Sequence, residues 1–272
     1  SIFSVLDIEL TLIDGRDTLL EFLDREIVDE FIHYLRQQDI TLRLGEKVTG
    51  VEKDANGRVI TTLESGKRLR AELVMFAAGR VGTTTELQID NAGIATDNKQ
   101  RIPVNDQYQT VAPHIYAAGD VIGFPSLAST SMEQGRLAAC HAFDQISSSR
   151  SEHFPFGIYS VPEMSMVGVT EQELTAKKIP YETGTAHLWE TARGQIMGLE
   201  DGMLKMIFST EDQRLLGVHI LGEGATELIH IGQAVLVLGG TLEYFLETVF
   251  NYPTLAEAYK IAALDVWNRI SG

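Results

Sequence analysis

Residues 8–44 carry a strand signal, a helix signal and a second strand signal in direct succession, and this order restricts the fold more than any other feature. IELTLI and ITLRL are typical of strands, and DREIVDEFIHYLRQQ is typical of a helix. The helix is expected to bury one face that carries Ile27, Phe31, Ile32 and Leu35. This alternation predicts an α/β unit with a mostly parallel sheet.

The pattern changes to antiparallel signals after this unit. Asn56-Gly57 lies between two strand-like runs and predicts a hairpin, and LVMFAAG predicts a buried strand that ends at Gly79. A loop-rich stretch follows, then a strand in HIYAAGDVIG and a helix in SLASTSMEQGRLAACHAFDQI. Beyond the polar run SSSRSEH, alternating strands precede several helices, which predicts an α+β layout with an antiparallel sheet.

The polar run supplies a domain boundary. We expect domains at residues 1–82, 83–150 and 151–272. The fold class predicted is α/β plus α+β, with an antiparallel sheet in the last domain.

Charge and cysteine content narrow the functional classes. The 272 residues include 38 acidic and 22 basic side chains, so a formal net charge of −16 disfavours binding to nucleic acids and to anionic membranes. The single cysteine, Cys140, rules out an internal disulfide framework and favours a reducing, cytoplasmic setting. We expect neither a membrane-spanning segment nor a signal peptide.

Asp14 and Arg16 follow the first strand and suit a dinucleotide. An acidic residue at the end of such a strand can accept hydrogen bonds from the adenosine ribose, and a nearby arginine can pair with a 2′-phosphate. An ordinary Asp-Gly turn with a solvated arginine explains the same residues. No G-x-G-x-x-G fingerprint is present in the chain.

Gly119 and Asp120 end a strand-like run just before a helix. A carboxylate at this edge can bind sugar or ribityl hydroxyls. The free N–H groups of the following helix, around Leu127, Ala128 and Thr130, suit an anion such as a reduced flavin. A Gly-Asp turn before a serine-capped helix is the alternative.

Tyr252 and Glu257 are the candidate catalytic residues near the carboxyl end. Tyr252 precedes Pro253 and should project from a loop. Thr254 and Glu257 have the spacing of a capping box, which explains Glu257 without catalysis. The seven histidines show no zinc-type spacing, no G-x-S-x-G motif is present, and no metal is expected.

Taken together, LVMFAAGR, HIYAAGDVIG and NYPTLAEAY resemble the pyridine-nucleotide:disulfide oxidoreductase family. The resemblance covers nearly the whole chain and implies a homodimeric flavoprotein with an FAD domain, an inserted NAD(P) domain and a C-terminal dimerisation domain. It implies partial Rossmann-like nucleotide-binding domains followed by an antiparallel-sheet dimerisation domain: residues 1–82 would be the C-terminal part of the NAD(P) domain, 83–150 the returning segment of the FAD domain, and 151–272 the dimerisation domain. It implies that Asp120 holds the FAD ribityl chain, that the helix from about Leu127 faces the flavin, and that Asp14 and Arg16 bind the adenosine end of NAD or NADP. In AAGRVGTT, Gly82 and Thr83 replace the family's Pro-Asn, so only Gly79 and Arg80 are transferred.

One departure from the family directs the functional hypothesis. Dithiol enzymes of this family place a histidine before Pro-Thr, and Tyr252 stands there in this chain. A phenol, with an ordinary pKa of about 10, is a poor proton shuttle at neutral pH compared with imidazole. The resemblance therefore implies FAD-dependent hydride transfer between NADPH and NAD+, without a thiol half-reaction.

Two alternatives stay open. One is a dihydrolipoamide-dehydrogenase-like or mercuric-reductase-like enzyme, and the other is a non-catalytic dimerisation module. Because the sequence opens without methionine, we expect it to be the C-terminal portion of a longer protein, separated from the family's N-terminal FAD-binding segment and cysteine pair and inactive alone. We expect that it does not hold FAD tightly by itself, because the pyrophosphate cradle belongs to that segment.

Overall fold

The strand–helix–strand order at the start of the chain is present in the computed structural model, which describes residues 1–145 and 153–271. β1 (Thr11–Asp14) and β2 (Thr41–Leu44) pair in parallel, and α1 (Arg25–Gln37) connects them. The buried residues of α1 are Ile27, Val28, Phe31, Ile32 and Leu35. They include all four positions expected on the apolar face, so the predicted α/β unit is confirmed.

The predicted hairpin is also present. β3 (Val48–Lys53) and β4 (Val59–Leu63) are antiparallel, and β5 (Arg68–Ala71) adds a third strand beside β4. In the turn, the Asp54 carboxylate accepts hydrogen bonds from the backbone N–H groups of Asn56 and Arg58, both at 2.9 Å. Gly57 has a φ of +79°, which a residue without a side chain adopts at little cost.

Two strand predictions in the middle of the chain are wrong. Leu73, Met75 and Phe76, expected in a buried strand that ends at Gly79, lie outside any strand and are 78%, 66% and 90% exposed. The second wrong prediction is the strand from His114. In the part of the chain that the structure describes, this stretch contains no strand, and Tyr116 forms an isolated bridge with Gln109. An apolar run becomes a strand only where a neighbouring strand accepts its backbone hydrogen bonds.

The stretch from His114 does lead into a helix, as expected. A short 3-10 turn covers Asp120–Ile122, and α2 spans Ala128–Ala142. Leu127 is the N-cap residue, so the serine cap of the alternative interpretation is absent. A small apolar core in this region centres on Ile94, Ile102 and Ala112.

The carboxyl-terminal part contains an antiparallel sheet, as predicted. Its strands are β6 (Phe156–Ile158), β7 (Met164–Gly168), β8 (Tyr181–His187), β9 (Met203–Ser209) and β10 (Leu215–Leu221). Their order is β6-β7-β10-β9-β8. The helices are α3 (Glu171–Lys177), α4 (Ala192–Met197), α5 (Ala225–Val237), α6 (Leu242–Glu247) and α7 (Glu257–Ser271).

The largest apolar core lies between this sheet and the helices α5, α6 and α7. Tyr259 of α7 is fully buried, and its hydroxyl donates to the Leu228 carbonyl at 2.8 Å and accepts from the Gly232 N–H at 3.1 Å. α7 also packs closely on β8, since a Cβ atom at Gly184 would lie 2.1 Å from the Ala262 carbonyl oxygen. These contacts fix α7 against the sheet.

By compactness the chain divides into two units, one of Ser1–Val74 with His153–Gly272 and the other of Met75–Glu152. The serine-rich boundary, residues 147–151, lies outside the described residues. The division into three domains therefore stays a prediction. No helix among the described residues combines the length and the apolar character needed to cross a bilayer.

Candidate functional site

Asp14 and Arg16 lie together at the carboxyl end of β1. The Asp14 carboxylate accepts three hydrogen bonds from Arg16, from the backbone N–H at 2.9 Å, from Nε at 3.0 Å and from Nη2 at 2.6 Å. Both groups are partly accessible, with side-chain exposures of 54% for Arg16 and 22% for Asp14. The pair can therefore present a carboxylate and a guanidinium to a ligand at this edge.

The ion pair changes the titration of both groups. The hydrogen bond from Arg16 holds the pKa of the Asp14 carboxyl below its usual range, and the same contact raises the pKa of Arg16. Each group therefore stays charged at neutral pH. Lys47 lies close by, with its Cγ 3.4 Å from the position that a Cβ atom at Gly15 would take, and it is a cation that the sequence analysis missed.

Arg80 and Asp120, predicted from two distant motifs, form an ion pair of 2.8 Å between Nη1 and Oδ2. Both line a cavity of about 400 Å³ in the Met75–Glu152 unit. Its other lining residues are Val81, Gly82, Thr83, Lys99, Arg101, Val121, Gly123 and Ser126. The structure thus brings Arg80 and Asp120 into one site.

The cavity is lined by more positive than negative charge, although the whole chain is acidic. Arg80, Lys99 and Arg101 contribute three cations, and Asp120 contributes one carboxylate. Asp97 orients Arg101, because its Oδ2 accepts from Arg101 Nε at 2.7 Å, and this contact lowers the pKa of Asp97. Such a lining suits a ligand that combines phosphate groups with hydroxyls.

Sequence reasoning missed Lys99 and Arg101 at this cavity and did not transfer Gly82, which also lines it. A Cβ atom at Gly82 would lie 2.1 Å from the Gln100 carbonyl oxygen, so the two backbone segments can approach only because this residue is glycine. The Gly82 N–H also donates to the Lys99 carbonyl at 2.8 Å. The basic residues of NKQR, next to a turn, were the available signal.

Gly119, Leu127 and Ala128 flank the same cavity along the chain. Gly119 has a φ of +82°, and its N–H donates to Gln134 Oε1 of α2 at 2.8 Å. Leu127 supplies no side-chain cap, so the first N–H groups of α2 are available to an acceptor. Gly79 precedes Arg80 and has a φ of +96°.

Glu257 is the first residue of α7, and Tyr252 lies in the loop before it, in the other unit. Tyr252 is 77% exposed and projects from the loop, as expected. Glu257 Oε1 accepts the Thr254 N–H at 2.8 Å, which is one half of the predicted capping box. The Thr254 hydroxyl donates instead to the Asn251 carbonyl at 2.7 Å, so the other half is absent.

Two family models match the chain. Residues 1–135 match pyridine nucleotide-disulphide oxidoreductase, and residues 154–263 match the dimerisation domain of pyridine nucleotide-disulphide oxidoreductase. The two matches together cover most of the chain, in the order that the motifs indicate.

Two curated relatives are soluble pyridine nucleotide transhydrogenases. The chain is 54% identical over 270 residues to the soluble pyridine nucleotide transhydrogenase of Mycobacterium bovis (strain BCG / Pasteur 1173P2), over 99% of the chain and 58% of the relative. It is 46% identical over 274 residues to the soluble pyridine nucleotide transhydrogenase of Salmonella paratyphi B, over 99% of the chain and 59% of the relative. The chain thus spans less than two thirds of these relatives.

Solved structures share the fold. The HOCl-induced flavoprotein disulfide reductase RclA from Escherichia coli superposes with a TM-score of 0.90 at 24% identity, over 97% of this chain and 60% of that chain. LpdA from Mycobacterium tuberculosis has a TM-score of 0.87 at 24% identity, over 96% of this chain and 57% of that chain. With the two family matches and the curated relatives, these findings show that the chain belongs to the pyridine nucleotide-disulphide oxidoreductase family.

Proposed function

We propose that the protein is a soluble NAD(P)+ transhydrogenase that moves a hydride from NADPH to NAD+ with FAD as its redox cofactor. The curated relatives at 54% and 46% identity carry the transhydrogenase name and are longer than this chain. The activity is therefore proposed for a protein of the relatives' full length. This chain would contribute part of each nucleotide site and the dimerisation domain.

The observation that carries the proposal is the phenol of Tyr252. It stands before Pro253 and Thr254 and is 77% exposed, and the Glu257 carboxylate is engaged by the Thr254 N–H. A dithiol half-reaction needs a group that shuttles protons near neutral pH, which imidazole does and an ordinary phenol does not. Hydride transfer between two nicotinamides needs no such shuttle at this position.

The lining of the Arg80–Asp120 cavity fits FAD. Asp120 would accept hydrogen bonds from ribityl hydroxyls, Arg80 and Arg101 would oppose negative charge, and the N–H groups at the start of α2 would face an anionic ring. FAD, when bound, supplies two-electron acceptance and return of the hydride. The residues of this chain bind and orient it.

Asp14 and Arg16 would receive the adenosine ends of both nucleotides. The carboxylate can accept from the ribose hydroxyls of NAD, and the guanidinium can pair with the 2′-phosphate of NADP. Because Arg16 already donates three hydrogen bonds to Asp14, each nucleotide would exchange part of that pair for its own contacts.

The second candidate is a flavoprotein disulfide reductase, which is what the printed name of RclA describes. It predicts rapid reduction of lipoamide or another disulfide. Tyr252 disfavours a disulfide reductase, because a phenol is a poor proton shuttle at neutral pH compared with imidazole.

Parallel assays of the full-length protein separate the two candidates. We expect NADPH-dependent reduction of a thionicotinamide analogue of NAD+ and no appreciable reduction of lipoamide. Tyr252→Phe should keep kcat for NADPH-to-NAD+ transfer within about twofold, because the Tyr252 hydroxyl takes no part in the proposed hydride-transfer transition state. Rapid lipoamide reduction, or a loss of transfer in Tyr252→Phe that Tyr244→Phe does not share, contradicts the proposal.

The same proposal includes a homodimer formed by the dimerisation domain and a cytoplasmic location. The family match at residues 154–263 and the exposed apolar side chains of that region support the dimer. The single cysteine supports a reducing compartment.

A further inference from the structure

A lysine is fully buried in the antiparallel sheet. Lys205 lies in β9 between apolar neighbours, and its side chain is 0% exposed. Its Nζ lies 2.8 Å from Asp24 Oδ1 and 2.7 Å from Glu26 Oε2, and it also contacts Glu171 Oε1. Burying an ammonium group is costly unless it is paired, and here three carboxylates surround it.

Asp24 connects three elements through its two oxygens. Oδ1 accepts from the Glu26 N–H at 3.2 Å, as the N-cap of α1, and from Lys205 Nζ. Oδ2 accepts from the Glu171 N–H at 3.0 Å, at the first residue of α3. One buried carboxylate thus joins the starts of α1 and α3 to β9, and the positive ends of both helices favour its charge.

The ammonium supplies the cation of this cluster. Ligand oxygens of Asp24, Glu26 and Glu171 lie within 4.8 Å of one another, close enough to share one cation, and Lys205 Nζ contacts all three. Burial alone would lower the pKa of Lys205, but the hydrogen bonds to the carboxylates raise it above its usual value. His219, opposite Lys205 on β10, is fully buried, and burial lowers its pKa, so the ring is neutral at pH 7.

The cluster holds one end of the loop that carries Arg16. Residues 15–24 join β1 to α1 and end at Asp24. Two loop leucines pack in one apolar cluster with side chains of the antiparallel sheet, Leu19 and Leu23 with Met164, Met166, Met203 and Leu221. The Leu23 carbonyl also accepts from Gln172 Nε2 at 3.4 Å.

The apolar contacts and the ion cluster around Lys205 constrain the loop of residues 15–24 in different ways. Apolar contacts tolerate small shifts, because they have no directional requirement. The hydrogen bonds of Asp24 do not, because each has a defined donor and angle. The cluster is therefore the part of the junction that sets where the loop ends.

We infer that Lys205 is a positioning residue for the adenosine end of the nicotinamide nucleotide. It holds Asp24, and through Asp24 it fixes the loop of residues 15–24 and the place of Arg16. The inference rests on the proposed function, because it takes the Asp14–Arg16 edge as the nucleotide site. It assigns to the dimerisation domain a residue that acts on nucleotide binding without touching the nucleotide.

The test compares Lys205→Met with Tyr259→Phe in the full-length protein. Lys205→Met keeps the length of the side chain and removes its charge. Tyr259→Phe removes two buried hydrogen bonds elsewhere in the same domain, so it reports the effect of lost stability alone. Lys205→Arg is the conservative variant that keeps the charge.

We expect Lys205→Met to raise KM for NADPH about tenfold with kcat within about twofold, since displacing a binding group removes uniform binding. Binding of adenosine 2′,5′-bisphosphate should weaken by a similar factor, and hydrogen exchange should accelerate at residues 15–24. Lys205→Arg should recover part of each change. Tyr259→Phe should lower Tm and leave KM unchanged.

Equal KM values in Lys205→Met and the unchanged protein, or equal exchange at residues 15–24, overturn the inference. If Lys205→Met does not fold, Glu26→Gln replaces it, because the Glu26 side chain is 52% exposed and tolerates the change. Glu26→Gln should raise KM for NADPH and accelerate hydrogen exchange at residues 15–24 by smaller factors than Lys205→Met. If neither quantity changes, the inference is overturned. If the unmodified full-length protein does not transfer a hydride from NADPH to NAD+, the proposed function is wrong. The binding of adenosine 2′,5′-bisphosphate and the hydrogen exchange at residues 15–24 then still decide the role of Lys205.

Discussion

At the scale of single residues, the Asp14–Arg16 ion pair is the proposed determinant of nucleotide choice. A ribose that uses Asp14 must compete with three hydrogen bonds from Arg16. A 2′-phosphate instead offers Arg16 a second anion. Under the proposed function, we therefore expect NAD binding to depend mainly on Asp14 and NADP binding to depend mainly on Arg16.

Arg16→Gln should raise KM for NADPH about tenfold, because a hydrogen bond to a charged group contributes about 1.5–3 kcal/mol. KM for NAD+ should change by less than about twofold, since Asp14 is then free for the ribose. Steady-state kinetics with each nucleotide varied in turn checks this. Arg36→Gln, exposed at the end of α1, is the control, and an equal loss for both nucleotides contradicts the prediction.

Asp120 is the proposed flavin-binding carboxylate of the Arg80–Asp120 cavity. Asp120→Ala should lower the flavin content of the purified full-length protein, because it removes the carboxylate that would accept hydrogen bonds from ribityl hydroxyls. It also leaves Arg80, Lys99 and Arg101 without the carboxylate that lines the cavity with them. The absorbance ratio of flavin to protein measures the loss. Asp106→Ala, on an exposed turn of the same unit, should keep its flavin, and an undiminished flavin content in Asp120→Ala would count against the site.

At the scale of elements, the N-cap of α1 couples stability to pH. Burial would raise the pKa of Asp24, but the neighbouring His219 and the hydrogen bond from Lys205 hold it below its ordinary value of 3.8. Because His219 is neutral at pH 7, Lys205 is the cation that stabilises the Asp24 charge there. A depressed pKa means that the folded state binds the proton less readily than the unfolded state.

The stabilisation by Asp24 is therefore complete well above pH 3.8 and is lost as pH falls through the folded pKa. Asp24→Asn should lower the free energy of unfolding at pH 7 by about 3 kcal/mol, as breaking a buried ion pair does. The difference from the unchanged protein should shrink on acidification below pH 3.8. Urea unfolding at several pH values measures both effects.

Asp29→Asn on the same helix is the control for that prediction. Asp29 pairs with Arg25 at 3.1 Å, and the two side chains are 57% and 63% exposed. A surface pair of this kind contributes about 0–1 kcal/mol. A difference between Asp24→Asn and the unchanged protein that persists undiminished in acid would contradict the assignment to the Asp24 charge.

At the scale of the whole molecule, the exposed apolar side chains of residues 153–271 predict self-association. Val249, in the loop between α6 and α7, is 89% exposed, and a charge there should oppose an apolar interface. We expect a dimer in sedimentation velocity and a shift toward monomer in Val249→Asp. Val111→Asp, at an exposed site of the other unit, should stay dimeric, and a monomeric unmodified protein would contradict the prediction.

The sequence pattern was sufficient for most regular elements. The four apolar positions of α1 are all buried, because a 3.6-residue period reports the buried face directly. The hairpin at Asn56-Gly57 follows from turn chemistry. The run at Leu73–Phe76 failed, because a strand also needs a partner strand, and local composition does not supply one.

By itself, the sequence determined the α/β beginning, the antiparallel ending, the family and the motifs at Asp14, Arg80 and Asp120. The tertiary structure alone decided that Arg80 lies 2.8 Å from Asp120 and that Lys205 pairs with Asp24, a residue 181 positions away. The physical reason is that hydrophobic periodicity records burial within one element. A buried ion pair depends on which distant elements meet, and no local pattern carries that information.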